Sequence, residues 1–70
     1  EVAAFFCEMG PSETKLSLRS KGKVDVASLA GTFGGGGHVR ASGCTIALPL
    51  AAAEAEASSR IEALLARAGT

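Results

Sequence analysis

The segment FGGGGHVRASG, residues 33–43, places the only histidine of the chain, His38, directly after four consecutive glycines. Glycine has no Cβ, so its backbone adopts positive φ angles and lets a ligand approach the peptide N–H groups. Successive N–H groups that point into one concavity bind anions. The run Gly34–Gly37 therefore predicts a backbone cradle for a phosphate. A flexible surface loop is the alternative.

Basic side chains cluster around this segment, although the 70-residue chain has a net charge of zero. Residues 15–40 carry five positive charges and one negative charge, that of Asp25, which gives +4. The five basic residues are Lys15, Arg19, Lys21, Lys23 and Arg40. The neutral total argues against indiscriminate binding to nucleic acids or membranes, whereas the uneven distribution indicates that an anionic partner binds the middle of the chain.

No set of residues in the sequence predicts hydrolytic chemistry by this chain alone. A single histidine cannot bind a metal ion, and Asp25 is already assigned as a helix cap. Glu54, Glu56 and Glu62 are expected on the solvent side of a helix, where Glu56 and Arg60 form an i,i+4 pair. The sequence therefore predicts a domain that holds a phosphate without cleaving it and that has no metal site or cofactor of its own.

Cys7 and Cys44 lie 37 positions apart among apolar neighbours. We predict buried free thiols, with a disulfide or a metal ligand as the alternatives. The sequence has no signal-peptide pattern, and no apolar run approaches the ~20 residues of a membrane span, so a cytoplasmic location is expected. The opening residues EVAAFFCE indicate a strand entered from upstream, so we expect the chain to be one domain of a longer protein.

The first half of the chain predicts a hairpin. Residues 2–7, VAAFFC, form an apolar run without alternation, which predicts a strand covered on both faces. Residues 14–20, TKLSLRS, alternate between apolar and polar types, which predicts a half-buried strand with Leu16 and Leu18 inside. The turn signal at 9–13 joins the two strands.

The second half predicts two helices and one more strand. The first helix begins after Asp25, a good N-cap, and ends at Gly34, which suits the C′ position. Residues 44–48, CTIAL, predict a third strand, and residues 50–68 predict the longest helix. The element order β-β-α-β-α therefore predicts an α+β fold in which helices pack on a small sheet of about three strands.

Two stretches together match a known family. SLRS at 17–20, followed by VDVASLAGTFGGGGHVRASG at 24–43, resembles the C-terminal DHH-associated (DHHA1-type) domain of the DHH phosphoesterase superfamily. The glycine-rich run that ends in histidine, followed by a small–small–Gly step, is the signature of that domain. The short length after the motif favours an NrnA-type oligoribonuclease and phosphoadenosine phosphate phosphatase over a RecJ-type exonuclease, which carries an extra nucleic-acid-binding domain.

The resemblance implies a division of labour between two domains. A DHH domain of the same chain would bind two divalent metal ions, usually manganese, and would supply the hydrolysis. The present domain would hold a nucleotide or a short single-stranded nucleic acid, with His38 as the catalytic residue that faces the scissile phosphate. The alternative for His38 is a surface or capping residue of the short segment after the glycines. The substrate-binding residues expected here are Arg19, Ser20, Gly35, Gly36, Gly37, Arg40 and Ser42.

Two other interpretations stay open. The related C-terminal domain of alanyl-tRNA synthetases, which binds RNA and dimerises, also has a glycine-rich loop, although SLRS together with GGGGH resembles the phosphoesterase branch. The third interpretation is a structural or dimerisation domain with a loose loop. Short RNA, short DNA, phosphoadenosine phosphate and cyclic dinucleotides all present phosphates to the same cradle, so the sequence leaves the substrate open, as it does the oligomeric state.

Overall fold

The computed structural model describes residues 2–21 and 24–68, so Lys23, one of the five basic residues, lies outside the described residues. Six elements follow one another along the described chain. They are β1 (Val2–Gly10), β2 (Glu13–Ser20), α1 (Val26–Gly31), β3 (Gly36–His38), β4 (Ala41–Ile46) and α2 (Leu50–Ala68). They confirm the predicted α+β fold, with one strand more than the sequence indicated.

The strands form one antiparallel sheet in the order β1-β2-β4-β3. The β1–β2 hairpin is confirmed, and the predicted third strand begins at Ala41 instead of Cys44. The prediction of about three strands is wrong because β3 lies inside the glycine segment. Glycine is depleted in strands, so only pairing with β4 makes Gly36–His38 a strand.

One face of this sheet carries the core, and the other face is open. β2 alternates as predicted, with Leu16 and Leu18 fully buried on the helix side. The side chains of Ala53 and Ala57 bring α2 onto the same face. The prediction that β1 is covered on both faces is wrong for the described chain: its residues alternate, and Phe5 is 60% exposed. We refer to this uncovered side of the sheet as the open face.

The long helix α2 occupies the range that the sequence predicts, Leu50–Ala68. The side chains of Glu54 and Glu62 are exposed as expected, which makes the helix amphipathic. Across residues 2–21 and 24–68, no helix combines enough length with enough apolar character to cross a membrane.

Both predicted caps of α1 are confirmed. The Asp25 carboxylate accepts a hydrogen bond from the Ser28 N–H at 3.0 Å, which satisfies an otherwise unpaired donor of the first turn. At the other end, Gly34 adopts a φ of +83°. Its N–H donates to the Gly31 carbonyl at 3.0 Å, and the Gly35 N–H donates to the Ala30 carbonyl at 2.9 Å. This pair of bonds is a Schellman motif with Gly34 at C′.

The glycine segment is fixed against β4 by close packing. A Cβ placed on Gly35 would overlap the Gly43 carbonyl oxygen and would lie 2.8 Å from Cys44 Cα. A Cβ on Gly37, whose φ is +143°, would lie 2.8 Å from Ser42 Cα. Gly36 is different, because a Cβ there meets no atom within 4 Å. The segment is therefore a packed edge strand, and the flexible-loop alternative is wrong for residues 35–38.

Arg60 of α2 holds the residues that lead into this segment. Its Nη1 donates to the carbonyl oxygen of Thr32 at 2.9 Å and contacts the Thr32 hydroxyl at 3.0 Å. Its guanidinium carbon lies 3.9 Å from the centroid of the Phe33 ring, a cation–π geometry. The predicted ion pair with Glu56 is confirmed at 3.0 Å. One side chain thus ties α2 to the last residues before the four glycines.

Gly35→Ala is expected to destabilise the fold by about 1–3 kcal/mol, because its methyl group would overlap β4. Thermal unfolding should show this as a lower Tm, at roughly 4–8 °C per kcal/mol for a domain of this size. The matched control is Gly36→Ala, whose methyl group meets open space, so its stability should change by no more than about 0.5 kcal/mol. Equal Tm values for the two variants would contradict the packing of the glycine segment on β4.

Arg60→Ala should cost about 1–2 kcal/mol, because it removes both the stacking on Phe33 and the bonds to Thr32. The sharper measurement is amide hydrogen exchange at Gly34 and Gly35, which should accelerate as the end of α1 loosens. Glu56→Gln is the control: it removes only a solvent-exposed ion pair, for which about 0.2–1 kcal/mol is typical. Unchanged exchange at both glycines in Arg60→Ala would show that α2 does not hold this segment.

Candidate functional site

Two side chains with hydrogen-bonding or charged groups, Arg19 and His38, lie close together at one end of the open face. Arg19 of β2 is paired with Ala41 of β4, and Ala41 is paired in turn with His38 of β3. Residues in register on neighbouring strands point to the same side of a sheet, so Arg19 and His38 flank the small side chain of Ala41. With strands ~4.8 Å apart, their Cα atoms are separated by about 10 Å. This row leaves room for a small anionic group between two donors.

The turn between β3 and β4 is held from two sides. The Ser20 N–H donates to the Arg40 carbonyl at 2.9 Å, which links the turn to the end of β2. The Val26 N–H donates to the Val39 carbonyl at 2.9 Å, which links it to the start of α1. The turn therefore has little freedom, and it fixes the backbone of Arg40 relative to Arg19.

The two ring nitrogens of His38 have different surroundings. Nδ1 accepts a hydrogen bond from the Arg40 N–H at 3.2 Å, so the ring caps the two-residue turn. A nitrogen that accepts carries no proton, so in this geometry the ring proton lies on Nε2. The side chain is exposed, and Nε2 has no partner in the described part of the chain. His38 thus both caps a turn and presents an N–H donor to solvent.

An open depression of about 410 Å³ lies beside this row. Its lining residues are Val2, Ala3, Arg19, Ser20, Lys21 and Arg40. The Nη1 of Arg19 donates to the Leu18 carbonyl at 3.0 Å, which orients the guanidinium and leaves its other donors unused. Among residues 2–21 and 24–68, no carboxylate is paired with any of the three basic side chains of this depression. The positive charge is therefore available to an anion.

The structure does not bring every expected contact to this place. The side chain of Ser42 lies on the helix side, where its hydroxyl donates to the Val26 carbonyl at 2.6 Å. Ser20 borders the depression, but its side chain points to the helix side, and its buried Oγ has no partner in the described part of the chain. Gly35 and Gly37 pack closely against β4. Of the three glycines expected to bind phosphate, only Gly36 faces open space.

The cysteines do not form part of the site. Cys44 is buried as predicted, but Cys7 is exposed, so the expectation of a buried thiol is wrong for Cys7. Burial raises the pKa of the Cys44 thiol, and the nearby Arg60 charge only partly offsets this rise. Cys44 therefore stays protonated at neutral pH and is no nucleophile. Within the described ranges, no three His, Cys, Asp or Glu side chains converge as a metal site would require.

The sequence did not indicate two residues that belong to this candidate site, Lys21 and Ala41. Lys21 lines the depression, and its place directly after SLRS could have suggested this. Ala41 creates the gap between Arg19 and His38, but its part depends on the register of β3, which the sequence does not indicate. The row across three strands becomes visible only when the glycine segment is known to be a strand.

The family model of the DHHA1 domain matches residues 1–67. The match covers β1 to nearly the end of α2, and it includes the Arg19 and His38 strands together with the glycine segment between them.

Proposed function

Because the chain belongs to the DHHA1 domain family, we propose that it is the substrate-holding domain of a DHH-family phosphoesterase. In this proposal the open face binds the phosphate and ribose of a nucleotide or short single-stranded nucleic acid. A DHH catalytic domain then hydrolyses the bound phosphoester. Short RNA, short DNA, phosphoadenosine phosphate and cyclic dinucleotides all carry the group that this site would hold.

The observation that supports this proposal best is the row Arg19–Ala41–His38. It combines a guanidinium, which binds phosphate oxygens through a planar fork, with a neutral N–H donor across a gap about 10 Å wide. Arg40 and Lys21 add positive charge at the edge of the same depression. A tetrahedral dianion or a diester fits such a set of donors, whereas an apolar or cationic ligand does not.

Superfamily members use divalent metal ions, usually manganese, for hydrolysis. The described residues of this chain do not fit such a centre, because no three potential ligands converge and its one histidine uses Nδ1 for the turn. We therefore assign the metal ions to the DHH domain. The residues of this chain bind and orient the substrate phosphate, and none of them is proposed to activate water.

We assign a catalytic contact to His38. A phosphodiester gains negative charge on its non-bridging oxygens as water attacks, and a donor placed at those oxygens stabilises the transition state. Nε2–H of His38 is such a donor, and the bond from the Arg40 N–H to Nδ1 holds the ring in the tautomer that keeps the proton on Nε2. The backbone bonds of the turn hold this ring in position before the substrate arrives.

Arg19→Ala should weaken the binding of a 5′-phosphorylated dinucleotide by about tenfold to a hundredfold, because a hydrogen bond to a charged group contributes roughly 1.5–3 kcal/mol. Arg19→Lys should recover only part of this affinity, because lysine lacks the planar fork. Arg67→Ala is the control, since it removes the same charge from α2, on the other side of the sheet. Equal affinity for the Arg19 variants and the unmodified protein in calorimetric titrations would remove Arg19 from the site.

Two variants of His38 separate its two contacts. His38→Ala in the intact enzyme should lower kcat by about 10²-fold or more, comparable with the loss of one oxyanion donor, and should also lower the Tm because the turn loses its cap. His38→Asn keeps a side-chain oxygen that can accept from an N–H two residues later, as in an Asx turn. We expect it to restore the Tm but not kcat. A His38→Asn enzyme with normal kcat would reduce His38 to a structural cap.

A further inference from the structure

The open face carries an aromatic side chain that the phosphate site does not use. Phe5 of β1 is 60% exposed, and it stands in register with Ser17 of β2. Ser17 is paired with Gly43 of β4, and Gly43 with Gly36 of β3. One complete row across the four strands therefore consists of a phenylalanine followed by three positions with little or no side chain.

This row forms a flat floor with an aromatic end. Four strands ~4.8 Å apart make it about 14 Å long from Phe5 to Gly36. Gly36 is not required there by packing, because a Cβ would meet no atom within 4 Å. The fold would therefore tolerate a side chain at Gly36, but this position has none. A planar ring can thus lie directly against the backbone there.

Basic groups border the floor on both sides. The neighbouring row in one direction contains Arg19 and His38, and the row in the other direction contains Lys15 and Thr45. Rows on one face are two residues apart along a strand, or about 7 Å. This spacing is comparable with the distance between the phosphate and the base of one nucleotide. The charge of the border favours an anionic occupant over an apolar surface of another protein.

From this arrangement we propose that the row Phe5–Ser17–Gly43–Gly36 is a binding platform for a nucleobase, with Phe5 stacking on the base whose phosphate lies at Arg19. The proposal rests on the proposed function, since it assumes that a phosphate is held in the neighbouring row. It specifies the ligand as a nucleotide or a single-stranded oligonucleotide. Every base has a π-face, so the platform should accept all four bases with little discrimination.

The platform makes a prediction that the phosphate site alone does not make: the base should contribute affinity. Loss of one aromatic stacking contact to a single-stranded base typically weakens binding by about 5- to 150-fold. Phe5→Ala should therefore weaken the binding of AMP by a factor in this range. Ribose 5-phosphate, which has no base, should bind equally well to both proteins. Phe5→Tyr and Phe5→Trp should retain the affinity for AMP, because both keep an aromatic face.

Met9→Ala is the matched control. Met9 lies on the same strand and is 58% exposed, but it lies at the register shift between Glu8 and Gly10, outside the row. Its replacement should leave the affinity for both ligands unchanged. Because Phe5 and Met9 are both largely exposed, neither variant is expected to unfold, and far-UV circular dichroism checks this directly.

The ligand titrations separate failure of the platform from failure of the proposed function. If Phe5→Ala binds AMP normally while Arg19→Ala does not, the platform is wrong and the phosphate site stands. If Phe5→Ala weakens the binding of AMP and of ribose 5-phosphate equally, Phe5 affects the phosphate site and does not contact a base. That result also overturns the platform. If the unmodified protein binds neither compound, the proposed function fails and the platform with it.

Discussion

The close contact between the glycine segment and β4 is the constraint on which the rest of this structure depends. Neither Gly35 nor Gly37 can carry a Cβ without overlapping the backbone of β4, and Gly37 also needs a φ of +143°. Because these two positions have no side chain, β3 approaches β4 closely enough to pair with it. That pairing places His38 in register with Arg19, and without it the open face would end at Ala41.

The contacts around the glycine segment all restrict its movement. The Schellman motif with Gly34 at C′ closes the C-terminal end of α1, and Arg60 holds Thr32 and Phe33 against α2. The turn after β3 is bonded to the end of β2 and to the start of α1. A run of four glycines would be among the most mobile segments of an unfolded chain. Here its two ends are fixed by hydrogen bonds and by a cation–π contact, so a glycine-rich strand presents a rigid surface.

Local patterns in the sequence predict most of the elements but not the row that forms the site. The alternation in β2, the Asp25 cap and the Gly34 C′ position depend on neighbours within a few residues, and each was predicted correctly. β3 could not be predicted, because glycine has a low strand propensity. Gly36 and Gly37 adopt a strand conformation only because they pair with β4. The exposure of Phe5 was also missed: an apolar run predicts burial, but the helices cover only one side of β1.

A site carried by strands imposes a particular kind of recognition. Its distances are set by strand spacing and register, so they vary less than those of a site on loops. The groups it offers are a guanidinium, an N–H donor and a flat floor beside an aromatic ring, and none of these distinguishes one base from another. Under the proposed function, such a surface would fix where a phosphate lies without reading the sequence attached to it. A hydrolytic partner domain could then act on many short oligonucleotides with one geometry.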